Sequence, residues 1–399
     1  MSVQRKVLVM NSSGGINQII EWLIDTSVSQ KRILFMHRHT IRLIICGILL
    51  VSAACASQSP SAPLVPPSAQ VIVSKTDAYL NKLTKRNDFS GSVLIARNGE
   101  ILVSNGYGKA NREKDTPNKA QTKFRLASVT KQFTAMAILI LQAQGKLDVQ
   151  DPISKYLPDC PAAWQNITVH HLLTHTSGIP NFTNLPDYQT AKGLPATPLE
   201  IIVRFKDKPL DFQPGEKWSY SNSGYIVLGF IIEQVSGKTY EAFLQKNIFV
   251  PLRMADSGYD HNNADLATGY VNGSNKPPDF LDMSIPYAAG GLYSSVEDLN
   301  RWQQALYTEQ LISVELLDNM FTPFAPMPDS DGLGYGYGWV IGKEGGHPVV
   351  GHIGGIEGFT TAITCYPDDK VAIIVLGNQE NVGVYDISVH LAKIVFGYK

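Results

Sequence analysis

Strand signals lie near both ends of the chain, and a helical block separates them. Residues 91–96, GSVLIA, and 100–104, EILVS, flank the turn pair Asn98-Gly99, a strong hairpin pattern. After residue 333 come four more strand-like runs, YGYGWVIG, HPVVGHIGG, FTTAITCYP and VAIIVLGN. We therefore predict one sheet made from N- and C-terminal strands, with a helical subdomain inserted at about 150–285.

Four segments outside that block predict helices. Residues 71–86 can form an amphipathic helix, and residues 128–143 are apolar on most faces, which indicates a buried helix that Gly145 ends. Residues 295–307 begin with a capping pattern and predict a surface helix. A last helix is expected at roughly 384–396.

The size and composition indicate a folded protein. At ~150 residues per unit, 399 residues allow two to three units, or one large domain with an insertion. Apolar residues make up 44% of the chain, enough for a sizeable core, and charged residues only 17%, against a typical ~25%. No region is strongly basic, so no nucleic acid partner is expected.

The cysteines do not form a recognisable framework. Cys46 and Cys55 lie in or beside an N-terminal apolar run, and only Cys160 and Cys365 lie in the body. Neither pair has the spacing of a zinc site or of a disulfide-rich domain. We expect Cys160 and Cys365 to be two separate buried thiols.

The N-terminal region has the pattern of an export signal. Residues 43–54, LIICGILLVSAA, follow Arg38 and Arg42 and precede small residues. The apolar run has 12 residues, too few to span a bilayer, which takes ~20. Because Met36 stands where such a signal should begin, residues 1–35 are interpreted as an upstream extension outside the native protein, and 36–56 as the signal.

Two processing routes remain open at the end of this signal. VSAAC resembles a bacterial lipobox with Cys55 as the lipidated residue, although Ser52 stands where leucine is usual. Ordinary cleavage after Ala56 is the alternative. Residues 57–70, rich in Pro, Ser and Ala, predict an extended linker. The expected location is periplasmic or extracellular, with a membrane contact only through a lipid anchor at Cys55.

The first candidate site motif is FRLASVTKQFTAM. Ser128 and Lys131 are spaced i, i+3 and share one face of a helix. The helix N-terminus favours an alkoxide, and the same field together with burial lowers a lysine pKa towards that of a usable base. Taken alone, the pattern also fits a solvated helix start.

Two further motifs carry polar groups in strand or loop contexts. In FQPGEKWSYSNSGY, Tyr220 can relay a proton and Asn222 can orient an acyl group, although an aromatic turn explains this motif equally well. In VVGHIGGIEGF, His352 precedes glycines that let a substrate approach the backbone, where an N–H can serve an oxyanion hole. A plain Gly-rich strand end is the alternative here.

In this order the three motifs resemble the serine β-lactamase and penicillin-binding protein family, in the branch related to class C β-lactamases. Ser128 and Lys131 form the S-x-x-K element of this family. Tyr-Ser-Asn is the class C form of the second family element, and His-Ile-Gly is similar to the third element of some DD-peptidases and esterases. The resemblance covers roughly 71–399. It implies an α+β, β-lactamase/transpeptidase-like fold, with an antiparallel sheet flanked by helices. Three other stretches share it: GKLDVQDPISKYLP, TVHHLLTHTSGIPNF and AAGGLYSSVEDLNRW.

The resemblance also implies catalytic roles. Ser128 would be the acylated nucleophile, and Lys131 would accept its proton, alone or through Tyr220. Tyr220 would then protonate the leaving group. The family chemistry needs no cofactor and no metal.

Substrate binding would fall to the second and third motifs. Asn222 would hold the acyl amide, and the N–H groups of Ser128 and Gly355 would form the oxyanion hole. His352 would replace the usual lysine and add polarity or a pH-dependent charge. Ile353 stands where a hydroxyl normally helps to bind a substrate carboxylate, which disfavours efficient penicillin hydrolysis.

The expected activity is therefore that of a serine hydrolase acting on a D-amino-acid peptide or other small amide, then an ester, with β-lactams third. The alternative is a non-catalytic sensor that is acylated but does not turn over. A metal site at His170, His171 and His175 is disfavoured because no further ligand cluster accompanies them. The chain has no G-x-S-x-G motif, which argues against an α/β-hydrolase.

Overall fold

The computed structural model describes residues 67–262, 265–328, 330 and 332–398. The predicted extension at 1–35, the export signal at 36–56 with Cys55, and most of the 57–70 linker lie outside the described residues. No helix in the described ranges has both the length and the apolar character needed to cross a bilayer.

Strands lie near both ends of the described chain and a helical block lies between them, as the sequence predicts. The α-helices are α1 (Ala69–Lys85), α2 (Thr130–Ala143), α3 (Val169–Leu173), α4 (Tyr188–Ala191), α5 (Pro198–Lys206), α6 (Asn222–Ser236), α7 (Tyr240–Leu244), α8 (Tyr287–Gly290), α9 (Val296–Ala305), α10 (Val314–Met320) and α11 (Val384–Phe396). Short 3₁₀ helices cover Ala127–Val129, Ile153–Lys155, Ala162–Trp164 and Phe182–Asn184, and a π-helix covers Gln245–Phe249.

The strands are β1 (Gly91–Arg97), β2 (Glu100–Tyr107), β3 (Lys109–Asn111), β4 (Thr116–Pro117), β5 (Phe124–Arg125), β6 (Gly258–Tyr259), β7 (Leu292–Ser294), β8 (Ala325–Pro326), β9 (Gly334–Tyr335), β10 (Val340–Glu344), β11 (His347–Ile356), β12 (Phe359–Tyr366) and β13 (Val371–Gly377). Between about 150 and 285 the named elements of the described chain are helices joined by loops, apart from β6, in agreement with the expected helical block.

The main sheet joins the two ends of the chain. Its eight strands run in the order β2-β1-β13-β12-β11-β10-β9-β8, and all neighbours are antiparallel. Asn98 and Gly99 have φ values of 55° and 81°, the left-handed pair that a two-residue hairpin turn needs. The predicted hairpin and α+β antiparallel fold are confirmed, and the pairing of β1 with β13 brings the N-terminal hairpin beside the C-terminal strands.

Side chains alternate along the central strands and so supply two separate cores. Val93 and Ile95 of β1 face a rear core that α1 and α11 cover, while Leu94 faces the front core. Burial on both faces explains why this strand is a continuous apolar run. The front core extends without interruption from the sheet through α2 into the helical block.

Two helices of the front layer, α2 and α9, pack against each other. Nearly every residue of α2 is buried, and this helix contacts α6 and α8, as its all-round apolar sequence predicts. The helix predicted at 295–307 is present as α9, where Ser295 accepts the N–H of Asp298 as a cap. It is more deeply buried than predicted, because Trp302 is fully enclosed and hydrogen-bonds Gln132.

Candidate active site

Ser128 lies in a tight turn that feeds directly into α2. The turn is a 3₁₀ helix, Ala127–Val129, so the α-helix begins two residues later than predicted. Ala127 has a φ of 49°, an uncommon left-handed conformation for a residue with a Cβ. Ser128 is half-buried between buried neighbours, and its hydroxyl therefore remains accessible in an otherwise closed turn.

Lys131 is fully buried one helical turn after the serine. Its Nζ is 3.2 Å from Ser128 Oγ and 2.8 Å from each of two acceptors, Asn222 Oδ1 and the carbonyl of Ala289. Burial places the pKa of this amine well below its usual value. A neutral amine can donate to both carbonyl oxygens and still present its lone pair to the serine hydroxyl. The geometry is that of a general base.

Tyr220 closes the other side of the serine. Its hydroxyl lies beside Ser128, and its ring centroid is 4.8 Å from Lys131 Nζ. Burial raises the Tyr220 pKa above its usual value, and the neighbouring Ser128 opposes this only in part. The phenol is therefore protonated at neutral pH, a state suited to giving a proton to a leaving group.

Asn222 is the first residue of α6 and faces the same space. Its side-chain oxygen accepts from Lys131, and its backbone N–H donates to Asn181 Oδ1 at 3.1 Å. Among the described residues, its amide nitrogen makes only a long contact of 3.5 Å, to Thr183 Oγ1. This N–H₂ group is thus available to a substrate carbonyl.

His352 forms the wall contributed by β11. Its Nδ1 donates to the carbonyl of Ile353 at 2.8 Å, so Nε2 accepts from the Tyr335 hydroxyl at 3.0 Å. Burial, together with Lys131, lowers the pKa of His352 to about 3. The imidazole is therefore neutral near pH 7. A neutral ring supplies polarity, and the lowered pKa disfavours the alternative of a charge that changes near neutral pH.

Glycine at position 354 lets β11 pack directly against the nucleophile turn. A Cβ there would be 2.2 Å from the carbonyl oxygen of Leu126 and 2.5 Å from Thr361 Oγ1. The next residue, Gly355, is exposed and pairs with Thr360 across the ladder. Its assignment as an oxyanion donor beside Ser128 stays a prediction, and the close packing before it supplies the necessary proximity.

Ile353 points away from this wall. It is half-buried and packs against the rear core. A side chain committed to the rear core offers no hydroxyl and no hydrogen bond to a substrate carboxylate.

The three histidines weighed as a metal site have other partners. His170 Nδ1 hydrogen-bonds Tyr337 at 2.8 Å, and His171 Nδ1 accepts the Thr168 N–H in the capping box of α3. His175 lies beneath Tyr220, with ring centroids 4.4 Å apart. Among the described residues no group of three or more His, Cys, Asp and Glu side chains could hold a metal ion. Cys160 and Cys365 are both free, the first half-buried and the second buried.

The site residues come from three distant parts of the chain, one for each motif. The protein-family model for Beta-lactamase matches residues 77–392. The chain belongs to the Beta-lactamase family. The match spans the hairpin, the helical block and all but the end of α11.

Relatives within the family agree with this membership. The chain is 33% identical to penicillin-binding protein 4* of Bacillus subtilis over 79% of its own length and 74% of that protein. It is similar in structure to the octameric penicillin-binding protein homologue from Pyrococcus abyssi, at 32% identity and a TM-score of 0.74, covering 82% and 78% of the two chains. The D-amino acid amidase from Ochrobactrum anthropi matches at 25% identity and a TM-score of 0.72, covering 81% and 98%.

Family membership and the arrangement of Ser128, Lys131 and Tyr220 make the protein a serine hydrolase that works through an acyl-enzyme. The sequence missed three contributors to this site: Ala289, Tyr335 and His175. His175 contacts Tyr220 and the backbone beside it, and no local pattern around 175 announces a partner 45 positions away.

Proposed function

We propose that this hydrolase acts on small acyl donors that carry no carboxylate, first the amides of D-amino acids and then carboxylic esters. The observation that carries the proposal is the neutrality of the site. Lys131 and His352 both have lowered pKa values, and Ile353 faces the rear core. None of these three residues offers a fixed positive charge or a hydroxyl to a substrate carboxylate, so an anionic donor gains little here.

The similarity to a D-amino acid amidase supports the first of these donor classes. The amide nitrogen of Asn222 is available to the acyl carbonyl, and the Tyr220 phenol can protonate a departing amine. An amine is a poor leaving group unless it is protonated, so a positioned phenol matters more for amides than for nitrophenyl esters.

The test is a panel of matched donors followed by turnover and intact mass. We expect D-phenylalanine amide to be cleaved faster than its L enantiomer, and a neutral nitrophenyl ester faster than the same ester carrying a carboxylate. A chromogenic cephalosporin and a D-Ala-D-Ala peptide complete the panel. Preference for the carboxylate-bearing partner would contradict the proposal.

Ser128→Ala is the matched control for the whole panel. Turnover of any donor that survives this substitution would exclude the acyl-enzyme mechanism. A stable mass increase on Ser128 without turnover would instead favour the sensor alternative, an acylated protein that does not release its product.

We further propose that the protein is exported to the periplasm or cell surface and anchored there by lipid on Cys55. The support is the apolar run 43–54, the lipobox-like VSAAC and the Pro-rich linker that follows. Cys55→Ala should move the protein from the membrane fraction to the soluble fraction. If the unsubstituted protein is already in the soluble fraction with its N-terminus at Ser57, and Cys55→Ala does not change its fraction, ordinary cleavage after Ala56 is established instead.

A further inference from the structure

His175 occupies an unusual position between the first two motifs. It follows α3 in a left-handed conformation, with a φ of 59°, and it is almost fully buried. Tyr220, Tyr225 and Tyr335 surround its ring, with centroids 4.4, 5.1 and 4.7 Å away. A buried histidine in a strained backbone conformation indicates that the surrounding contacts hold it there.

Two hydrogen bonds from this one residue bracket Tyr220. The N–H of Ser219 donates to the backbone carbonyl of His175 at 2.9 Å. The N–H of Ser221 donates to His175 Nδ1 at 3.2 Å. Both residues that flank the tyrosine, Ser219 and Ser221, are therefore hydrogen-bonded through their N–H groups to a single residue, and the imidazole also packs on the phenol ring between them.

The rest of the loop that follows His175 extends this support towards Asn222. The Ser221 hydroxyl donates to the carbonyl of Ile179 at 2.9 Å, and the Asn222 N–H donates to Asn181 Oδ1. Contacts along 175–181 thus hold Ser219, Ser221 and Asn222 by hydrogen bonds, and they hold Tyr220 by ring packing.

The protonation of His175 does not suit it to proton transfer. Because Nδ1 accepts from a backbone N–H, the proton of the neutral ring is on Nε2. Nε2 has no hydrogen-bond partner within the described part of the chain. Burial, then Lys131 and His352, hold the His175 pKa well below its usual value. The ring stays neutral and lacks a path to Ser128.

We propose that His175 is a positioning residue for acylation: its carbonyl and its Nδ1 hold the N–H groups of Ser219 and Ser221, the residues on either side of Tyr220, and so set the place of the phenol against Ser128. The inference rests on the proposed acyl-enzyme function. Misplacing a reacting group by about 1 Å can cost about 10²-fold in rate, which sets the size of the expected effect.

Three substitutions separate the contributions of His175. His175→Gly tolerates the left-handed backbone but removes the Nδ1 acceptor. His175→Asn also tolerates that backbone, and its Oδ1 is the same number of bonds from Cα as Nδ1. Tyr220→Phe removes the phenol itself. The acylation rate constant is measured by quenched intact mass with the neutral nitrophenyl ester, on protein whose folding is checked by thermal unfolding.

We expect His175→Gly to slow acylation about 10²-fold and His175→Asn to recover at least ~10-fold of this loss. In the Tyr220→Phe background the glycine substitution should cost less than about 3-fold, since a residue that acts only through the phenol has nothing left to position. The acid limb of the pH profile should be the same in wild type and His175→Asn.

Other results would overturn the proposal. These are normal acylation by His175→Gly, an asparagine variant no faster than the glycine variant, or equal glycine penalties in the two backgrounds. Loss of the acid limb in His175→Asn would make His175 a proton-transfer group. If the glycine variant does not fold, the comparison of His175→Asn in both backgrounds decides. Failure of the proposed function is recognised separately, because wild-type protein would then not be acylated at all.

Discussion

Burial lowers the pKa of Lys131 and so favours the unprotonated amine, the form that can accept a proton. Sequence reasoning placed it at a helix start and attributed its lowered pKa to the helix field and to its apolar neighbours. In the structure the residue is fully enclosed and desolvation is the cause of the shift. Its two carbonyl acceptors, from Asn222 and Ala289, hold the amine without adding a negative charge that would favour protonation.

Removing this amine should therefore abolish activation of the serine. We expect Lys131→Ala to reduce the acylation rate by at least ~10²-fold, the usual scale for a positioned base. The wild-type rate should fall at low pH as the amine becomes protonated. Intact-mass kinetics measure both effects. Lys146→Ala, at an exposed lysine just after the same helix, is the control. Unchanged acylation in Lys131→Ala would assign the base to another group.

His352 gives a prediction about stability. Its pKa is about 3 in the folded protein and 6.5 for an unperturbed histidine, so the unfolded chain binds one more proton between these values. Its neutral form is fully favourable above about pH 6.5, and that stability is lost as the pH falls towards 3. His352→Gln cannot be protonated. The slope of unfolding free energy against pH should decrease by up to ~1.4 kcal/mol per pH unit in this window.

Denaturant unfolding at several pH values measures that slope. His261→Gln, at an exposed histidine, is the control for the exchange of histidine for glutamine. An unaltered slope in His352→Gln would mean that the ring is not held neutral in the folded protein.

At the scale of elements, turns and helix bounds could be predicted from the sequence, and contacts between distant segments could not. The Asn98-Gly99 turn fixes its hairpin by its own φ values, and α11 has the predicted bounds. The antiparallel direction of the strands was predicted only from the family resemblance. The bonds from His175 to residues 219 and 221 depend on how the helical block folds back, which no local pattern encodes.

The contact between β11 and the nucleophile turn is testable through Gly354. A methyl group there would meet the Leu126 carbonyl at 2.2 Å, so Gly354→Ala must push the strand away from Ser128. We expect acylation to fall by about 10²-fold because Gly355 moves with the strand. Gly193→Ala, whose Cβ would meet only Phe280 at 3.7 Å, is the matched control and should acylate normally. Equal rates in the two variants would remove β11 from the oxyanion site.

At the scale of the whole molecule, the two ends of the described chain complete one another. β1 pairs with β13 from Gly91 opposite Gly377 to Arg97 opposite Val371, and α1 packs beside α11 on the rear face. Neither terminal segment can bury its apolar face alone. The site depends on this closure, since β11 and β12 lie in the same sheet as the hairpin.

Shortening the chain from its N-terminus should therefore have a sharp limit. A chain beginning at residue 57 keeps every contact that the structure describes for α1, including the bond from Tyr107 to Asp77 at 2.6 Å, and should acylate and melt like the longer protein. A chain beginning at Gly91 loses α1 and with it Ile72 and Leu80, both fully buried, at ~1.5–3 kcal/mol each. Circular dichroism, thermal unfolding and acylation should show this shorter chain unfolded and inactive. Leu80→Ala in the full chain should cost ~2–5 kcal/mol without affecting the site. A folded, active chain from Gly91 would show that the sheet closes without its rear helix.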